Sequence, residues 1–400
     1  MSVASALRAD AAALQPTPLE VAGGIPLGFA TGAPDLSDVP AGAEPLAALE
    51  TAVREGLARP PSVVTFSGGR DSSAVLAVAT RIARAEGLDP PIAVTLRFRG
   101  APGARELAWQ ERVAAHVGLE DWVRLDVGEE IDYVGPVAQR LLLRHGVVHP
   151  AVTPLFWLPL ERARGGSLLT GFGGDAIAGG WLPAHSAEAL AGHVRPRPSD
   201  LAALAYAIAP APVRRAVMRG RLTRPPWLRP DAARTFRRLR VEELASRPVR
   251  WDRFLAWETR LRRSRALEWA LSKIAADVDA VVVHPFHDRR FVAALARAGG
   301  ARGLGDRTAV MRVLFARDLP DDVLARPDKA NFALAYFRGH TRAFARRWDG
   351  RGLDPELVDA ETIRAAWLQK LVDGRSALAL QAAWLDSAQR GVEQLPADVV

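Results

Sequence analysis

The chain has 400 residues and no cysteine, which excludes a disulfide framework, a thiolate metal site and a cysteine nucleophile, and points to a reducing, cytoplasmic setting. Its formal net charge of +8 and pI of about 10.6 rest on arginine, because lysine is confined to Lys273, Lys329 and Lys370. In so alanine-, glycine- and proline-rich a composition that excess is weak ground for a nucleic-acid partner, and no stretch reads as a signal peptide or a bilayer-spanning segment.

Residues 1–44 are short apolar pieces broken by turn residues, and little independent structure is expected there. "EPLAALETAVREGLA" has helical spacing and stops at "RPPS"; "SVVTF" then reads as a buried strand. Further βα units follow: strand "IAVTLRF", helix "ARELAWQERVAAHVG", strand "DWVRLDV", helical "DYVGPVAQRLLLRHG" and "TPLFWLPLERARGG", and strand "SLLTGFGGD". Strands alternating with helices predict an α/β fold with a doubly wound parallel sheet, whose ligands lie beyond the carboxyl ends of the strands. Over about 182–250 periodicity fades and arginines and prolines accumulate, giving a basic, irregular or helical insertion. A long helical run, "WDRFLAWETRLRRSRALEWALSKIAADVDA", precedes "VVVHPFHDRRFVAALARAGG", and the chain from Arg307 onward reads as helical. The body of the protein is therefore expected over 45–400.

Two glycine turns fall at strand ends. In "SGGRDSS", Gly68 and Gly69 let the backbone approach a ligand, and the following helix aims its N-terminus at a phosphate. Ser67, Ser72 and Ser73 offer hydroxyl groups, while Asp71 would repel an anion unless a cation such as Mg²⁺ sits between them. Helix capping by Asp71 or Ser72 alone would not require the second glycine. The loop lacks the Walker lysine pattern.

"SGGRDSS" resembles the phosphate loop of the PP-loop ATP pyrophosphatases, which cut ATP between its α and β phosphates to make adenylates. Three later stretches resemble, in order, motifs of the asparagine synthetase superfamily: "LLTGFGGDAIAGG", "HPFHDRRFVAALA" and "RPDKANFALAYFRGH". The resemblance implies ATP and Mg²⁺ as cofactors, with Mg²⁺ on Asp71 and Asp175. It implies ATP and pyrophosphate contacts from Ser67, Gly68, Gly69, Ser72, Ser73, Gly171, Phe172, Gly173 and Gly174. Lys329 would neutralise pyrophosphate, and Asp288 and Arg289 would support the site. His287 stands where the superfamily usually has leucine.

Glutamine-dependent members begin with a glutaminase domain whose first residue is cysteine, so 1–44 is expected to be a short extension and the amine to come from elsewhere. Phe172 replaces the usual glutamate of the second turn, in a style similar to lasso-peptide macrolactam cyclases and β-lactam synthetases. The resemblance thus implies an AMP-forming ligase acting on a peptide or small-molecule carboxylate, foremost as a lasso-type cyclase with a leader-binding protein and a protease as partners. An ammonia-dependent synthetase and a non-catalytic scaffold are the alternatives. No nucleic-acid partner is expected.

Glu258 has two readings, a base for the attacking amine or a surface pair with Arg262. His284 and His287 read as structural, and Trp251, Trp257 and Trp269 as core. Glu106 reads equally as a nucleotide neighbour or a helix cap. The basic insertion reads as a solvated face, a dock for an acidic peptide or a nucleic-acid groove, and Arg70 serves either ATP or solvent.

Overall fold

The computed structural model describes residues 11–32, 36–40, 42, 44–101, 106–181, 183–190, 192, 195, 197–326 and 333–391. Five strands form one parallel sheet: β1 (Ser62–Thr65), β2 (Ile92–Phe98), β3 (Trp122–Val127), β4 (Ser167–Leu169) and β5 (Val281–Val283). Their order is β3-β2-β1-β4-β5. This is the doubly wound α/β arrangement expected from the alternating strands and helices.

Strand β1 shows why both faces are covered. Successive side chains of a strand point to opposite sides, so its adjacent valines enter different cores. Val64 and then Phe66 pack with Leu169 under helices α1 (Pro45–Leu57) and α2 (Arg70–Glu86). Val63 packs on the other side with Val94, Leu168, Trp157 and Leu160. The chain leaves β1 in one direction for β2 and β3 and in the other for β4 and β5. The strand order therefore reverses between β1 and β4, where such sheets open a crevice at their carboxyl ends. Both glycine turns follow these two strands.

The remaining helices that build the site are α3 (Leu107–Val117), α4 (Trp251–Thr259), α5 (Arg262–Ala275), α6 (Arg289–Gly299) and α7 (Arg307–Phe315). Trp251, Trp257 and Trp269 are buried, as their spacing predicts. The run read as one long helix is broken between α4 and α5, where Leu261 takes an extended conformation (φ −64°, ψ 133°).

Two segments make contacts that the sequence does not announce. Where little independent structure is expected, the described residues of 1–44 form a capped helix tied to the rest of the chain. Thr17 and Glu20 form a capping box for the helix Pro18–Gly23. Glu20 also accepts from Leu27 N–H at 2.7 Å and pairs with Arg262. Phe29 bridges to Leu261 in antiparallel fashion. Arg262 and Leu261 lie more than 200 residues away, so no local pattern announces them. The basic insertion contains the helices Pro198–Ile208, Ala211–Arg221 and Pro230–Ala245. Ala211–Arg221 buries no residue, whereas Trp227 is fully buried and donates its indole N–H to Ala22 O at 2.8 Å. Beyond it, Phe344, Trp348, Trp367 and Trp384 form the core of the C-terminal helices. No helix among the described residues is long and apolar enough to cross a membrane.

Candidate active site

The turn after β1 is closed on itself. Ser67 N–H donates to Ser72 Oγ at 3.2 Å, and the Ser67 and Ser72 hydroxyl oxygens lie 3.0 Å apart. Gly68 has φ 83°, and a Cβ there would come within 2.8 Å of the Gln110 side chain. Gln110, from α3, donates to Ser67 O at 3.0 Å. Helix α2 starts at Arg70 with no side-chain cap, so its first N–H groups face the crevice, the arrangement that suits an anion.

The turn after β4 packs directly against that helix start. A Cβ on Gly171 would lie 2.7 Å from Ser72 N, and one on Gly174 would overlap the Asp71 carboxyl group. Glycine at both positions lets Asp71 and Asp175 share one cation, the Arg307 guanidinium of α7. Arg307 donates to Asp71 Oδ2 at 2.7 Å and pairs with Asp175 through its other terminal nitrogen. Two carboxylates converging on a single positive charge fit a hard divalent ion.

A second cationic group braces the first turn. Arg326, whose side chain is only 3% exposed, donates to Gly68 O at 2.8 Å and to Glu106 Oε2 at 2.7 Å, and its guanidinium lies 4.9 Å from the Trp109 ring centroid. Glu106 makes no side-chain cap; its partner is Arg326. Arg70 donates to Arg326 O at 3.0 Å and to Thr308 Oγ1 at 3.1 Å. Burial, and then the Arg307 charge, lower its pKa, so Arg70 belongs to the site and not to solvent.

These groups enclose a cavity of about 420 Å³. Its polar lining includes Ser67, Asp71, Asp175, Arg70, Arg307 and Arg326. Its apolar lining includes Val152, Leu155, Phe156, Pro159 and Phe172, with the Phe156 and Phe172 rings 5.0 Å apart. The end of β5 closes the region behind the second turn. There His284 Nδ1 lies 2.6 Å from Thr170 Oγ1, and His287 Nδ1 lies 2.9 Å from Glu268 Oε1. Burial, with the charge of His287, pushes the His284 pKa down to about 4.

The cavity brings together Ser67, Gly69, Asp71, Ser72, Gly171, Phe172 and Asp175. Gly68, Gly173 and Gly174 shape the two turns behind the wall. Ser73 is fully buried and does not reach the cavity. Asp288 caps α6 and pairs with Arg290, which reaches Glu55 at 2.6 Å; Arg289 opens the same helix, and none of these lines the cavity. Glu258 lies away from the cavity wall, buried and bound by Arg263 at 3.1 Å. Arg262, the partner its spacing suggested, pairs with Glu20 instead. Lys329 falls outside the described residues, but Arg326 before it and Tyr336 after it both line the cavity. Sequence reasoning missed Arg307 and Glu268. The one local signal for Arg307 is Asp306, which caps α7 by accepting from Ala309 N–H at 2.9 Å.

A family model described as asparagine synthase matches residues 46–391. The chain belongs to the asparagine synthase family. No curated protein matches it. Family membership makes the chain an ATP-dependent amide-bond ligase in general terms, and the match covers both glycine turns, Arg307, Arg326 and the β5 end. In this asparagine synthase family member, the second turn presents Phe172 to the cavity.

Proposed function

We propose that the protein activates a carboxylate as its adenylate, releasing pyrophosphate, and joins it to an amine of the same molecule, closing a macrolactam on a peptide precursor in the manner of a lasso-type cyclase. The observation that carries the adenylating part is the convergence of both glycine turns, with Asp71 and Asp175 on one cation, at the reversal of strand order. The apolar wall formed by Phe156, Pro159 and Phe172 favours the finer reading. A bulky acyl group fills such a wall, whereas aspartate and ammonia would leave it bare.

In this scheme the N-terminus of α2 and the Ser67 and Ser72 hydroxyl groups hold the leaving pyrophosphate. Asp71 and Asp175 would hold Mg²⁺, which when bound screens the phosphate charge. Arg307 and Arg70 stand beside that position, and Lys329 neutralises pyrophosphate by the resemblance of its segment. Arg326, held by Glu106, fixes the first turn through Gly68 O.

The test is incubation with Mg·ATP and a panel of acids: aspartate with ammonium, N-acetyl-aspartate, N-acetyl-glutamate, and a linear peptide with a free N-terminal amine and one internal aspartate. AMP, pyrophosphate and a peptide lighter by one water support the reading. Asparagine formed from aspartate and ammonium would replace the cyclase by a small-molecule synthetase. Release of ADP and phosphate, or no nucleotide cleavage with any acid, would refute the adenylating chemistry. Neighbouring genes for a short precursor, a protease and a leader-binding protein are the genomic counterpart of the same expectation.

A further inference from the structure

The positive charge of the chain is not spread evenly. Residues 201–230 hold six arginines and no acidic residue, so this stretch of the insertion supplies six of the eight net positive charges and the rest of the chain is close to neutral. Little of that charge is met by the fold. Arg215 pairs with Glu242 at 2.8 Å and Arg229 with Asp359 at 3.3 Å. Arg219, Arg221 and Arg224 are exposed and meet no carboxylate among the described residues, and Arg237 adds a further guanidinium by donating to Arg219 O. Like charges held together repel, and only salt or a negative partner relieves them. The same stretch exposes aliphatic side chains. Leu201 and Ile208, two turns apart on one face of the helix Pro198–Ile208, are 71% and 66% exposed. On the helix Ala211–Arg221, which packs beside it, Val213 is 49% exposed and shares a face with Arg221 at i and i+8. A purely solvated face has no use for such side chains. A single-stranded nucleic acid stacks its bases on exposed rings, and the two rings of this stretch turn inward: Trp227 is fully buried, and the Tyr206 hydroxyl is buried. The root of the insertion stands at the site. A Cβ on Gly179 would lie 3.3 Å from Arg307 Cδ, and Trp181 Nε1 donates to Val249 O at 2.8 Å, which joins the two ends of the insertion.

We propose that the exposed surface of the helices Pro198–Ile208 and Ala211–Arg221, with the turn as far as Arg224, docks an acidic peptide segment that carries aliphatic side chains. Its carboxylates pair with Arg219, Arg221 and Arg224, and its aliphatic groups cover Leu201, Ile208 and Val213. The charges select the sign of the partner and speed its approach, while the aliphatic contacts separate such a peptide from a bare polyanion. The inference stands on this surface and not on the ligase chemistry. In a ligase that acts on peptides, such a segment is the non-reacting part of the substrate.

The test follows fluorescently labelled peptides by anisotropy with the full chain: one alternating glutamate and leucine, one alternating lysine and leucine, and one alternating glutamate and serine. The glutamate-leucine peptide should bind, more weakly as salt rises, and the lysine-leucine peptide should not. A triple variant, Arg219→Glu with Arg221→Glu and Arg224→Glu, should weaken the first roughly tenfold or more and make the second bind. Leu201→Ser with Ile208→Ser should weaken the glutamate-leucine peptide roughly tenfold and leave the glutamate-serine peptide unchanged. Urea midpoints should not move, because none of these side chains is buried. Hydrogen exchange on the unaltered protein needs no variant and should show protection over 198–224 when the glutamate-leucine peptide is added. Protection confined to other residues, no binding of that peptide, or an affinity unchanged in either variant would overturn the proposal. A DNA duplex or a vesicle of anionic lipid that binds at least as tightly and displaces the peptide would overturn it too, making the surface one for nucleic acid or membrane.

Discussion

Replacing Glu106 by glutamine tests whether a buried ion pair holds the first glycine turn. The side chains of Arg326 and Glu106 are 3% and 6% exposed, so the substitution leaves the guanidinium buried beside a neutral amide. Removing one partner of such a pair costs about 3–5 kcal/mol, chiefly because the other charge stays desolvated. Arg326 keeps its bond to Gly68 O at 2.8 Å and its place over Trp109, which puts the expected loss at the lower end, about 3 kcal/mol. Urea unfolding followed by tryptophan fluorescence measures it as a lower midpoint at unchanged slope. A double variant, Glu106→Leu with Arg326→Met, should be more stable than either single change, since an apolar pair leaves no charge buried. ATP should nevertheless bind weakly to all of them, because Gly68 O loses its clamp or the clamp loses its anchor. The reasoning fails if Glu106→Gln costs under about 1 kcal/mol, or if the two single losses simply add in the double variant.

Arg307→Ala removes a cation that Asp71 and Asp175 share, so the two carboxylates should bind Mn²⁺ without nucleotide roughly tenfold or more tightly by calorimetric titration, about 1.4 kcal/mol; unchanged affinity would show that Arg307 does not hold the metal position. Glu20→Ala should cost about 3 kcal/mol in urea unfolding, because it leaves the Leu27 N–H without its acceptor and Arg262 without its carboxylate, with only backbone carbonyls, among them those of Ala13 and Gln15, to hold the guanidinium; a loss confined to the few tenths typical of a surface site would show that Glu20 does not tie this segment to the body. Stability should also fall as pH drops from 6.5 toward 4. His149 and His284, pushed down chiefly by burial to about 3 and about 4, stay neutral when folded, while the unfolded chain takes up protons in that window. Glu268, held low when folded, loses its contribution in the same direction at the acid end. Urea midpoints that rise on acidification through this range would contradict the assignment.

The sheet was legible because its first three strands carry β-branched residues, the fourth is a short apolar run, all are bounded by turn residues, and the two glycine turns sit where the first and fourth end. Strand β5 escaped because three valines between a helical run and a proline carry no period of their own. The choice of Glu258 shows the same limit at the site. The sequence offers Glu258 as a base or as a partner of Arg262 but cannot say which way a helix faces, and here the run bends at Leu261. The bend ties Glu258 to Arg263, while Glu268, one helix later, reaches His287. Composition decides the rest. Lysine is so rare in this chain that Lys329 stands out unaided, whereas Arg307 and Arg326 are two among many arginines with nothing in their spacing to separate them from a solvated face. What separates them is burial against the two glycine turns, a long-range property: Arg326 meets Gly68 across 258 residues and Arg307 meets Asp71 across 236. A rare residue type can be weighed in the sequence, but a common one acquires meaning only from the carboxylates the fold brings to it.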